Sequence, residues 1–92
     1  MTGKLTFENI QRTIVSFVLS DFPSDYTEST LPRDQSLVEL GVVDSYGVVE
    51  LVDFLEQTWS IVIEDSEITR ETLGSIDKMA TLVFRKVDSA RD

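Results

Sequence analysis

The dipeptide Asp44-Ser45 opens the stretch in which residue types and spacing point most directly to chemistry, Gly41 to Trp59, reading GVVDSYGVVELVDFLEQTW. An aspartate directly before an amphipathic run is a good helix N-cap, because its carboxylate accepts a hydrogen bond from a backbone N–H two or three positions on. Ser45 then falls in the first helical turn with its hydroxyl directed at solvent. Three chemistries are open to such a serine. As a nucleophile it needs a base within hydrogen-bond reach and donors for an oxyanion. The chain has no His and no Cys, no Ser-x-x-Lys pattern starts at Ser45, and no Gly-x-Ser-x-Gly elbow surrounds it, so no catalytic residue is assigned. As an acceptor modified by another enzyme it needs only an exposed hydroxyl at a rigid helix end. A phosphodiester there meets unpaired N–H groups and the positive end of the helix dipole. The third possibility is an ordinary helix-start serine, and the dipeptide alone does not distinguish it from the second.

The helix that carries Ser45 resolves into two faces. At about 100° per residue, with Ser45 at zero, Val48, Leu51, Val52, Leu55 and Trp59 cluster between roughly 240° and 340° and form the core side. Glu56, Val49, Asp53, Tyr46 and Glu50 occupy the opposite arc, roughly 20° to 140°. Such a mixture of carboxylates and apolar side chains suits transient docking, since the acids steer a basic partner while Tyr46 and Val49 supply contact area. The plainer alternative is a solvated helix face with its two apolar residues folded over the edge of the core.

The remaining segments read as the frame for that helix. Thr6 caps a first helix running to about Ser20, with Phe7, Ile10, Ile14, Phe17 and Val18 on its inner face. Asp21-Phe22-Pro23 ends it, because proline disfavours helical backbone in the residue before it. The long connection from Phe22 to Val43 has apolar anchors of its own in Leu31, Leu37, Leu40, Val42 and Val43, so it is expected to be ordered. After the second helix, Ser60 to Asp65 alternates like a strand but has no pairing partner, and it reads as an extended connection with Ile61 and Ile63 inward. Ile68 to about Leu73 is a short helix ended by Gly74 in a left-handed conformation. Ser75 caps the last helix, whose core residues are Ile76, Met79, Ala80, Val83 and Val87, and a short frayed tail follows Asp88. The expected fold is all-α: a small antiparallel four-helix bundle of three main helices and one short one, a single domain over residues 1–92 with an ordered core of about residues 5–88.

Three segments together carry a resemblance to a known family. Leu37 to Asp44 is an apolar-Gly-apolar lead-in, Asp44-Ser45 begins a hydrophobic acidic helix, and Trp59 to Asp65 joins an aromatic to alternating isoleucines and an acidic pair. In this order they resemble the acyl carrier proteins. That resemblance implies 4'-phosphopantetheine attached through a phosphodiester to Ser45, with acyl groups carried as thioesters on its thiol. It further implies that Asp44 is both helix cap and recognition residue for a phosphopantetheinyl transferase. Tyr46, Val49, Glu50, Asp53 and Glu56 would form the partner-binding face for an acyl transferase, an acyl or aminoacyl ligase, and synthases with basic docking patches. Fatty acid or polyketide synthesis is the expected setting. Tyr46-Gly47 departs from the commonest pattern toward carriers of stand-alone ligases, so the alternative is an aminoacyl or peptidyl carrier resembling D-alanyl carriers, loaded by an ATP-dependent ligase. From another class, the rival is an unmodified acidic adaptor.

Composition bounds these readings. The net charge is −9, and from Asp34 to Glu67 there are nine carboxylates and no Lys or Arg. Nucleic acid is therefore not an expected partner, because phosphate backbones need cations to neutralise them. Glu64, Asp65 and Glu67 lie close together but lack the glycine and spacing of a calcium loop, so no metal site is assigned. No run of ~18 apolar residues is present. Neither a membrane span nor a leader segment is expected, and a cytoplasmic monomer is the default.

Overall fold

A computed structural model describes residues 5–90 as four helices: α1 (Phe7–Asp21), α2 (Ser45–Trp59), α3 (Arg70–Leu73) and α4 (Ile76–Ala90). The expectations for the chain ends, no leader before Leu5 and a frayed tail, fall partly on residues 1–4 and 91–92, outside the described residues. Among the described residues there is no strand.

Each helix starts where a side chain can replace the missing intrahelical acceptor. Thr6 Oγ1 accepts from Asn9 N at 3.1 Å, Asp44 Oδ1 from Gly47 N at 2.8 Å, and Ser75 Oγ from Lys78 N at 3.2 Å. Ile10, Ile14, Val15 and Val18 of α1, Leu51 and Leu55 of α2, and Ile76, Met79, Ala80, Leu82 and Val83 of α4 close into one core. Helices α1 and α2 run antiparallel. Phe17 stacks on Phe54 with ring centroids 4.0 Å apart, and five residues further on, just past the end of α1, the ring of Phe22 lies against Gly47 at the start of α2. Phe54 in turn meets Trp59 edge-on at 6.0 Å.

The 22–44 connection is ordered for the reason its apolar residues predict. Leu31, Leu37, Val42 and Val43 are buried, and Leu40 packs against the core partly exposed. Backbone bonds then tie the segment to the far end of the chain, Leu37 N donating to Gly74 O at 3.0 Å and Asp77 N to Arg33 O at 2.9 Å. The Arg33 guanidinium adds bonds to the carbonyls of Glu28 and Leu31. Gly41 makes the turn with φ +77°, a backbone that costs glycine nothing.

Four local expectations are corrected. Phe7 is 37% exposed rather than inward. A helical side chain lies over the turn that precedes it, and the first residue of α1 has no such turn. Gly74 is right-handed, with φ −72° and ψ −23°. The closeness of the Arg70 carbonyl explains the glycine, since a Cβ there would sit 2.5 Å from that oxygen. The short helix read from Ile68 starts two residues later, as α3 at Arg70, and a 3-10 turn, Asp65–Glu67, precedes it. Finally, α4 continues past Asp88 as helix through Ala90.

Candidate functional site

Ser45 is the first residue of α2, and it is exposed. Its hydroxyl has no hydrogen-bond partner among the described residues, so nothing there activates it as a nucleophile. Asp44 is exposed as well, but its Oδ1 is committed to the Gly47 N–H, and Val48 N donates to the Asp44 carbonyl at 3.2 Å. The N–H groups of Ser45 and Tyr46 remain unpaired at the positive end of the helix. The first turn is held against the two ends of the 22–44 connection, because Gly47 is buried and a Cβ on it would lie 2.7 Å from Phe22 Cε1 and 2.9 Å from Val43 Cγ1. The helix start is therefore rigid while the serine oxygen faces outward. That combination suits an attachment point.

Four of the five residues expected on a docking face lie together on the outside of α2. Tyr46 is 79% and Val49 65% exposed, unusual values for large apolar groups, and Glu50 and Asp53 stand in solvent beside them. Glu56 is half-buried and differently employed. Its Oε2 accepts from Ile63 N at 2.9 Å and fastens the 60–65 connection to α2, with Ile61 and Ile63 inward as their alternation requires.

Two features beside α2 were beyond the reach of helical spacing. Between α1 and α2 an open groove of about 600 Å³ runs past Phe17, Asp21, Val49, Glu50, Asp53 and Phe54. On the other flank a smaller cleft of about 210 Å³, lined by Ser36, Val38, Val48, Ile68, Thr69 and Leu73, adjoins the residue one turn on from Ser45. Val38 is 47% exposed there. Only the exposed apolar residues Val38 and Ile68, in segments otherwise rich in buried aliphatics, hint at the cleft in the sequence.

Of the acids at 64–67, Glu64 and Glu67 are occupied structurally as a reciprocal cap of the turn. Glu64 N donates to Glu67 Oε1 at 2.8 Å, and Lys86 Nζ pairs with the same oxygen at 2.8 Å. The Lys86 hydrogen bond, with that from the Glu64 backbone, holds the Glu67 carboxyl below its ordinary value. No group of three or more metal-ligating side chains is gathered to hold a metal ion among the described residues. No described helix is long and apolar enough to cross a membrane.

No protein-family model matches the chain. It is nevertheless 32% identical over 71 residues to the D-alanyl carrier protein of Streptococcus suis, a match spanning 77% of this chain and 86% of that one. The D-alanyl carrier protein of Streptococcus pyogenes matches to the same extent. Among solved structures, a chain in the crystal structure of an FAD-dependent dehydrogenase is similar with a TM-score of 0.64 and 25% identity, over 77% of this chain and 99% of that chain. With that identity and coverage to the streptococcal proteins, and with a helical bundle that displays a capped serine, the chain belongs to the carrier-protein family, whose members are carriers and not enzymes.

Proposed function

We propose that Ser45 carries 4'-phosphopantetheine and that the chain transports an aminoacyl group as a thioester on it. The observation that carries this reading is the exposed, unpartnered hydroxyl at a rigidly packed and capped helix start. The residues fit the group. The Ser45 oxygen is free to form the phosphodiester, and the Ser45 and Tyr46 N–H groups with the α2 dipole favour its negative charge. When bound, the group supplies the thiol that this cysteine-free chain lacks. The chain's own residues position it: Asp44 fixes the first turn, Gly47 lets that turn close on Phe22 and Val43, and the outer face of α2 presents the arm to partners.

D-alanine is the cargo we favour, because the streptococcal relatives are named for it and because Tyr46-Gly47 already sets this chain apart from the commonest acyl carriers. An ATP-dependent ligase would load it. A second reading adds a later partner: similarity to a chain in the crystal structure of an FAD-dependent dehydrogenase favours a flavoenzyme acting on the tethered group. Loss of oxidised-flavin absorbance on mixing such an enzyme with the charged carrier supports that addition, and unchanged absorbance removes it.

The principal test is intact-mass measurement after incubation with coenzyme A and a broad-specificity phosphopantetheinyl transferase. The wild-type chain gains one phosphopantetheine and Ser45→Ala gains none. No gain on the wild type leaves the acidic-adaptor reading in its place. Charging the modified chain with D-alanine, L-alanine or a fatty acid, each with ATP and its ligase, then decides the cargo.

A further inference from the structure

Gly47 and Phe54 stand at roughly 200° and 180° from Ser45 around α2, so they form one stripe on the face opposite the serine. Aromatic rings from one segment of chain meet both. Phe17 stacks on Phe54 with centroids 4.0 Å apart and planes at 11°. Phe22 places Cε1 and Cζ 2.7 and 3.3 Å from the point where a Gly47 Cβ would stand. The Phe22 ring is itself held: it is 8% exposed, meets Phe17 edge-on at 6.0 Å, and the residue's backbone N–H donates to Val18 O at 2.9 Å. Pro23 confines Phe22 to the extended backbone it adopts, with φ −120° and ψ 120°.

Two contacts about two turns apart, a rise of about 10 Å, fix both the tilt of α2 and its rotation about its own axis. Because they press on the face behind Ser45, they turn its hydroxyl away from the protein. The two contacts differ in kind. At Phe54 two side chains stack, whereas at the attachment end the ring lies directly on the helix backbone. Glycine is a poor helix former with no side chain of its own to pack, so a first turn closed by the Asp44 cap alone would fray. The Phe22 ring supplies the packing that Gly47 lacks. We propose that Phe22 is a positioning residue for the modification of Ser45, acting through Gly47: it keeps the first turn of α2 helical and the serine directed outward. The modification step rests on the carrier reading, but the hold on the first turn does not.

The test compares wild type, Phe22→Leu and the milder Phe22→Met as full chains in two measurements. Hydrogen exchange at the Gly47 and Val48 amides should speed about tenfold or more in Phe22→Leu relative to amides of the α4 core, and less in Phe22→Met. In the transferase reaction with coenzyme A, Phe22→Leu should lower kcat about threefold or more and leave KM for the carrier within about twofold, because fewer bound chains present the serine. A merely structural role would instead deplete the folded chain, raising the apparent KM and leaving kcat alone. Ile10→Val, fully buried toward the other end of α1, should leave kcat at its wild-type value. Adding Gly47→Ala to Phe22→Leu returns a methyl group to the vacated space and should restore kcat toward wild type. Unchanged exchange at 47 and 48, an unchanged kcat, an equal fall in kcat for Ile10→Val, or no recovery in the double variant overturns the proposal. A wild-type chain that takes up no phosphopantetheine refutes the carrier reading instead, and the exchange measurement still decides whether Phe22 holds the turn.

Discussion

At the scale of single residues, the start of α2 is set by Asp44 and Gly47 acting together. Asp44→Ala removes the acceptor of the Gly47 N–H, and loss of an N-cap of this kind costs about 1 kcal/mol. Urea denaturation should show that loss, and the transferase reaction at Ser45 should slow because the first turn is no longer held. Gly47 presents opposing effects. A glycine inside a helix is worse than alanine by up to about 1 kcal/mol, which argues for replacement. The new Cβ, however, would press at 2.7 and 2.9 Å on the Phe22 ring and on a β-branched valine, and overpacking of this sort costs about 1–3 kcal/mol. The clash should win, so Gly47→Ala is expected to lower the urea midpoint despite its better helix propensity. An unchanged or raised midpoint would mean that Phe22 swings aside freely.

At the scale of elements, legibility followed the range of the interaction. Caps at Thr6, Asp44 and Ser75 were readable because each acts within three residues, and the buried stripes of α1, α2 and α4 were readable because 3.6-residue spacing reports them. Val15, Leu82 and Phe54 fall outside the single-stripe pattern because a helix packed on two sides buries a wider arc than one stripe predicts. Gly74 departs from its expected left-handed backbone, since a glycine demanded by the approach of the Arg70 carbonyl looks in sequence like one demanded by positive φ. The positive φ after a helix falls instead on Ser60, at 55° with ψ 47°, where its backbone N–H donates to Glu56 O. A left-handed residue other than glycine costs about 1–2 kcal/mol. Glycine relieves that strain but loses more backbone entropy on folding, which offsets part of the gain, so Ser60→Gly should stabilise the chain by about 0.5–1 kcal/mol, measurable as a rise in melting temperature.

For the whole molecule, the distribution of charge matters more than its sum. Glu50 and Asp53 of α2 stand without cations, open to a partner, whereas Glu67 on the turn before α3 is tied back to Lys86 of α4. Glu67 has its folded-state pKa lowered by the Lys86 hydrogen bond first and by the Glu64 backbone N–H second. A carboxylate whose folded value lies below its unfolded value, about 4.3 for glutamate, contributes stability that is fully present above that unfolded value and disappears as pH falls through the folded one. Glu67→Gln should therefore lower the urea midpoint at neutral pH and flatten its dependence on pH below about 5, where wild type loses what the variant never had. The pair joins the 65–67 turn to α4, so the variant should also loosen the segment that positions Ile68 at the small cleft, visible as faster amide exchange there. Equal pH slopes in wild type and variant would assign acid sensitivity to other carboxylates and leave the Lys86 contact a surface pairing without energetic consequence.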